Sequence, residues 1–278
     1  MNVLEYSLLI WFGSLATGFL GALTGLGGGV ILVPLLTLVF QVDVRYAIGA
    51  SLISVIATSS GAAAAYVKEG FTNMRVGMFL EIATTLGALI GASVAVRVPT
   101  SALAIIFGLV LLYSAYLSSR QLPERLDSDH PDRLAVFLRV DGTYPTPGGP
   151  QPYHVHAIPL GFGLMALAGT LSGLLGIGSG AVKVLAMDQA MRIPFKVSTT
   201  TSNFMIGVTA AASAGVYLNR GYIDPGLAMP VMLGVLLGSL LGARVLVQAQ
   251  TRLLRLIFSV VIVVLAIEMI VNGITGRL

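Results

Sequence analysis

Apolar residues fall into long runs near 7–24, 30–40, 46–66, 76–96 and 101–118, then, after a polar interruption, near 158–175, 181–191, 197–218, 227–247 and 253–272. Several reach the roughly 20 residues that cross a bilayer as helix. The two series are copies. From Gly25 to Gly176 is a displacement of 151, and at that offset the halves match without a gap: Leu20/Leu171, Gly27/Gly178, Gly29/Gly180, Val33/Val184, Ser51/Ser202, Thr58/Thr209, Gly70/Gly221 and Gly91/Gly242. The chain is a duplication.

Composition narrows the class. With 56% hydrophobic and 10% charged residues among 278, the pattern predicts an all-α polytopic membrane protein rather than a soluble domain. The net charge of +4 suits Lys and Arg at loop ends, and no basic cluster is dense enough to track phosphates, so no nucleic-acid partner is expected. The absence of cysteine excludes disulfides, thiolate metal sites and chemistry through a protein thiol. Met1 to Gly13 lacks a basic leader and an Ala-x-Ala site, so it reads as the start of a retained helix.

Gly25-Leu26-Gly27-Gly28-Gly29 interrupts the first pair of runs, and Gly176-Ile177-Gly178-Ser179-Gly180 returns in the second. Each glycine costs a helix about 1 kcal/mol against Ala, so these stretches predict broken helix. In a bilayer, broken backbone is tolerated where protein or a polar cavity satisfies it, and freed N–H groups at a helix start attract anions. The glycines could instead only let helices pack closely. Their paired recurrence favours a backbone site.

If the motif is a mere bend, Lys and Arg divide almost evenly between the two membrane faces. If it is a hairpin apex, the second half is inverted. One face then holds Lys68, Arg75, Arg120, Arg125, Arg192, Lys196, Arg244, Arg252 and Arg255, the other Arg45, Arg97, Arg220 and Arg277. Basic residues collect on cytoplasmic loops, which favours two inverted repeats, 1–118 and 158–278, with both termini outside and the 119–157 linker cytoplasmic. In the linker, apolar Leu134 to Val140 and alternating Tyr153 to His156 suggest either a small β-hairpin or an irregular tether.

Gly178-Ser179-Gly180 superficially matches an intramembrane serine nucleophile, but His130, His154 and His156 all lie in the linker, out of a base's reach, so no enzyme is expected. His154 and His156 share a face if extended, without an evident third metal ligand. Ser198-Thr199-Thr200-Thr201-Ser202-Asn203 opens a span. Its hydroxyls and amide could cap the helix or donate to an oxyanion, Ser51 and Ser202 being the symmetric pair. N-capping accounts for Ser198 but not for Ser202 and Asn203. Lys183 is the only basic residue between Ile158 and Met191, and Leu32 stands at its place in the first copy. A charge at mid-bilayer costs at least about 2.5 kcal/mol, so it needs a partner or a use. Asp188, a substrate anion, or snorkelling to a surface would each serve.

Gly25 to Gly29 followed by Val33-Pro34, the Ala47 to Ser51 segment and Thr201-Ser202-Asn203 resemble the TauE/SafE family of sulfite and organosulfonate exporters, over nearly all the chain outside the linker. Ser179 replaces a glycine of the second motif, and Lys183 and Leu185 stand where the first copy has Leu32 and Pro34. The resemblance implies a secondary transporter for sulfite, sulfonates or related anions in the cytoplasmic membrane, without a cofactor. A channel, or a carrier of another small carboxylate or oxyanion, is the alternative. The expected substrate-binding residues are Gly25, Gly27, Gly28, Gly29, Ser51, Gly176, Gly178, Ser179, Gly180, Lys183, Ser202 and Asn203. The expected partners are a small anion and lipid, and assembly as a monomer or a homo-oligomer stays open.

Overall fold

A computed structural model describes residues 2–24, 29–68, 70–119, 132–146, 148–246 and 251–276. Each apolar run forms a helix. In the first half these are α1 (Val3–Thr24), α2 (Gly29–Pro34), α3 (Val44–Lys68), α4 (Met74–Ala95) and α5 (Thr100–Ser119). The second half supplies α7 (Ile158–Leu175), α8 (Gly180–Leu185), α9 (Phe195–Asn219), α10 (Pro225–Leu246) and α11 (Thr251–Thr275). From α2 onward the helix starts repeat at the 151-residue displacement. So do finer details: α2 and α8 each widen into a π-helical turn, Leu35–Val39 and Ala186–Ala190, closed by Phe40 N–H to Leu35 O and Met191 N–H to Ala186 O. Gln41 and Arg192 both follow with φ of 55°.

Among the described residues four helices, α1, α4, α7 and α10, are long and apolar enough to cross a membrane. Their outer faces confirm the solvent. On α4, Met78, Ile82, Leu86 and Ile90 form an exposed stripe at helical spacing, and Met229, Leu233 and Leu237 do the same on α10. Such stripes are a liability in water and the natural surface in lipid.

The halves exchange helices. A Cβ on Gly18 of α1 would lie 2.3 Å from Val235 O of α10, and one on Gly169 of α7 would lie 2.0 Å from Thr84 O of α4. Gly238 meets Leu15 O and Gly87 meets Ala166 O in the same way, so only glycine lets these backbones touch. Each contact is the other's repeat equivalent, which makes the arrangement a pseudo-two-fold. Gly49 near the start of α3 abuts Tyr222 O just beyond α9, while Thr201 near the start of α9 accepts from Asn73 N–H just beyond α3, at 3.0 Å. Hence α3 and α9 run antiparallel. Likewise, Gly108 of α5 meets Ala266 and Ile270 of α11, and Gly273 meets Ser101 and Ile105.

In the linker, Asp132 caps a short helix, α6 (Arg133–Leu138), by accepting from Leu134 N–H, and Arg139 ends it in the left-handed region. The apolar stretch from Leu134 is thus mostly helix, because it has a cap at one end and a stop at the other. The hairpin follows it: β1 (Gly142–Thr146) pairs antiparallel with β2 (Gly149–Tyr153). Ala135, Val140, Tyr153 and Val155 are buried together with Val76 and Leu80 of α4, Met165 of α7 and Val197 of α9. Asn73 fixes the junction: it caps α4 through Val76 N–H and donates to Val140 O (2.9 Å) and to the Tyr153 hydroxyl (2.6 Å). His154 Nδ1 lies 3.1 Å from Asp141 Oδ2 in the same unit.

Candidate functional site: two hairpin apices and a buried charge pair

In both halves the chain that follows the glycine motif returns along the helix that precedes it. In the second half, α8 and its π turn return along α7: Ser179 Oγ donates to Ala168 O, and Met191 packs on Gly161. In the first, Leu35 and Phe40 return to Gly13, and the Tyr6 hydroxyl reaches Phe40 O at 3.3 Å. These are hairpins and not bends. The second apex needs left-handed backbone at three positions, Gly176 (φ 68°), Gly178 (φ 70°) and Ser179 (φ 43°). Glycine meets that demand at no steric cost, and the non-glycine Ser179 carries strain of about 1–3 kcal/mol. The whole apex is buried.

It lies where α3 and α9 cross. A Cβ on Gly176 would meet Ile48, one on Gly178 would meet Val55 and Ile206, and one on Gly180 would meet Ile206. The first motif joins it there: a Cβ on Gly29 would be 2.9 Å from Ser51 Oγ and 3.2 Å from Gly176 O. Gly25, Gly27 and Gly28 lie outside the described residues.

The symmetric serines are both at the apices. Ser51 Oγ donates to Gly176 O at 2.8 Å, linking the first half to the second apex, and Ser202 Oγ donates to Gly180 O at a weak 3.4 Å. No hydrogen bond from Asn203, half-buried beside Ser202, reaches an apex among the described residues. Ser198 does not cap α9, which begins three residues earlier with Pro194 in the capping position. Its hydroxyl donates to Ile193 O instead.

Lys183 lies one turn into the returning helix and is fully buried, at 0% exposure. It does not snorkel. Nζ donates to Thr209 Oγ1 of α9 at 2.6 Å, and that hydroxyl has two acceptors for its one proton, Glu81 Oε1 of α4 at 2.8 Å and Met205 O of its own helix at 2.9 Å. Thr85 donates to the same carboxylate oxygen at 3.0 Å. Glu81 is only 8% exposed, and its second oxygen, Oε2, is buried without a hydrogen-bond partner. Thus a fully buried amine and a largely buried carboxyl are bridged by one hydroxyl. Asp188, the other expected partner, instead receives a hydrogen bond from its neighbour Gln189. Along α9, Ser202, Ile206 and Thr209 share one face, so the stripe that holds the second apex continues directly to the charge pair.

Sequence reading missed Glu81. The signal was present: an acidic residue inside the 76–96 run carries the same kind of insertion penalty that singled out Lys183. The pairing itself was hidden, since the two residues belong to different repeats and to helices that meet only in the fold.

The sequence comparisons agree with this architecture. The chain is similar to the "Probable membrane transporter protein YunE" of Bacillus subtilis (strain 168), 28% identical over 98% of this chain and 99% of that protein. It is also similar to the "Probable membrane transporter protein YdhB" of the same organism, 26% identical over 82% of this chain and 83% of the relative. A "Probable membrane transporter protein" of Xylella fastidiosa (strain 9a5c) is 26% identical over 95% of both. No solved structure matches. The model of the sulfite exporter TauE/SafE family matches residues 10–269, and with its helices, lipid-facing stripes and full-length relatives this chain is a multi-pass membrane protein belonging to that family of transporters, not to an enzyme family.

Proposed function

We propose that the protein is a secondary carrier for small sulfur-containing anions such as sulfite and sulfonates, which bind between the two glycine apices near mid-membrane. The single observation carrying this reading is the meeting of Gly29, Ser51 and Gly176 at the α3–α9 crossing, with the buried Lys183 one turn away. Backbone groups of Gly25, Gly27, Gly28, Gly29, Gly176, Gly178 and Gly180, the hydroxyls of Ser51, Ser179 and Ser202, the Asn203 amide and the Lys183 ammonium form the anion's surroundings once the apices part. A pseudo-two-fold perpendicular to antiparallel α3 and α9 makes the halves inverted repeats when these helices span the bilayer. Rocking about such an axis exposes one central site alternately to each side. The protein resides in the cytoplasmic membrane, with the linker inside and both termini outside.

Counterflow in proteoliposomes tests the carrier. Internal unlabelled sulfite should accelerate uptake of labelled sulfite, and flux indifferent to internal substrate would mean a channel. Screening sulfite, sulfate, thiosulfate, taurine and sulfoacetate beside acetate and malonate by thermal shift tests the substrate class, which falls if only the two carboxylates stabilise the protein. Single cysteines introduced into this cysteine-free chain test the inversion, and it fails if residues 2 and 130 are labelled from the same side.

A further inference from the structure

We propose that Glu81 is a proton-binding site coupled to the anion site, so that each anion enters the carrier together with a proton; this rests on the anion reading above. The geometry divides the carboxyl in two. Oε1 is faced by the Thr85 and Thr209 hydroxyls, while Oε2 is buried and has no hydrogen-bond partner among the described residues. A bare carboxylate oxygen in such a place is costly, and a proton on Oε2 removes that cost.

Charge counting supplies the coupling. With Glu81 ionised, Lys183 and Glu81 sum to zero across the Thr209 bridge, and an arriving anion would meet no net positive charge. When one proton from water forms the O–H bond at Oε2, Lys183 becomes the uncompensated charge. One monoanion restores neutrality. Proton and anion therefore bind cooperatively, and linkage makes the effect reciprocal. When the proton leaves Oε2 for water on the far side, the ammonium is recaptured by the carboxylate and the anion is released. The direction of net flux then follows the pH and anion gradients.

Few other groups could take this role. Of the elements packed on α4, α7 carries no ionisable side chain, α9 carries only Lys196 and Tyr217, near its two ends, and the linker adds Tyr153, bonded to Asn73, and the paired Asp141 and His154. Lys196 lies over the Phe71 ring, and the Tyr217 hydroxyl bonds to Gly173 O. On the returning hairpin, Asp188 is in the π turn beyond Lys183. On α4 itself Arg75 is at the helix start, where it donates to Arg139 O.

Methanesulfonate is the probe, because its own charge is constant over the range. For the wild type in detergent, its apparent affinity by thermal shift should tighten by up to about tenfold per unit fall in pH while Glu81 titrates. Glu81→Gln, which mimics the protonated acid, should bind with no pH slope and should lose acceleration of uptake by an acid-outside gradient. A pH-independent wild-type response, or a wild-type slope in Glu81→Gln, overturns the proposal. Infrared difference spectra taken without substrate give a separate readout: acidification should produce a carboxylic C=O band that Glu81→Gln lacks and Thr209→Val shifts. Absence of that band in the wild type sinks the proton site whatever the substrate proves to be. If the band is present but no sulfur anion binds at any pH, the substrate reading fails and the proton site survives.

Discussion

Lys183, Thr209 and Glu81 have repeat counterparts in Leu32, Thr58 and Met232. The backbones around the two sites agree down to the π turns and the left-handed residues Gln41 and Arg192, both at φ 55°. The chemistry does not agree. Leu32 is as deeply buried as Lys183, and Thr58 bonds within its own helix, to Ser54 O and Val55 O, whereas Thr209 adds Lys183 and Glu81 to the equivalent own-helix contact with Met205 O. Duplication has therefore kept the two backbones alike and placed charge at only one of the two equivalent loci. A buried ion pair is seldom retained for stability, since apolar residues of similar volume do as well or better. Here the equivalent locus, Leu32 with Met232, shows the apolar solution in place, which is the ground for proposing a task for the charged one.

Making the second locus like the first gives the largest expected effect. Lys183→Leu alone leaves Glu81 buried and uncompensated, at a cost of about 3–5 kcal/mol in thermal unfolding at neutral pH. Adding Glu81→Met completes the symmetry and should recover most of that loss while abolishing transport. Additive destabilisation in the double variant would show that the two residues do not communicate. Next in size is the bridge: Thr209→Val should cost about 1–3 kcal/mol by stranding both charges, against less than about 1 kcal/mol for the equivalent Thr58→Val. Equal losses would remove the distinction between the sites.

The apices predict a smaller asymmetry. Ser51→Ala breaks a 2.8 Å bond between halves and should cost about 1 kcal/mol, whereas Ser202→Ala breaks a 3.4 Å contact and should cost a few tenths. If both serines also bind the anion, each variant weakens the sulfite thermal shift. The smallest effect concerns the linker, which packs on α4, α7 and α9. Asn73 both caps α4 and holds the linker, while its counterpart Asp224 accepts from Gly226 N–H of its own helix alone. Burial, helped by the nearby Asp141, pushes the Tyr153 hydroxyl up from 10 to about 12, against the hydrogen bond from Asn73. A raised folded value means docking energy that is complete below pH about 10 and lost as pH rises towards 12. Limited proteolysis of the linker should therefore accelerate over that window in the wild type, and Tyr153→Phe should flatten the response.

The duplication, the helical runs and the doubled glycine motif were legible because each is a local pattern repeated at a fixed spacing. Even the hairpin apex could be argued from which loops collect Lys and Arg. The linker was half legible: the stretch from Leu134 reads as a strand by apolarity alone, and its helix is set by the Asp132 cap and the Arg139 stop. The charge pair was not legible as a pair. Lys183 and Glu81 stand on helices of different halves that meet only because α4 packs on α7 and α9, and no spacing along the chain encodes that meeting.

The exchanged helices bear on how such a chain can be made. When synthesis has passed Ser119, α1 and α4 are both complete, yet the glycine-lined faces of each are bare, because their mates α10 and α7 have not been translated. Neither half closes by itself, so assembly waits for nearly the whole sequence, and early spans rest against lipid or the insertion machinery in the interval. The long-range seams that join the halves are formed last, by a chain that must still carry its second half back onto its first.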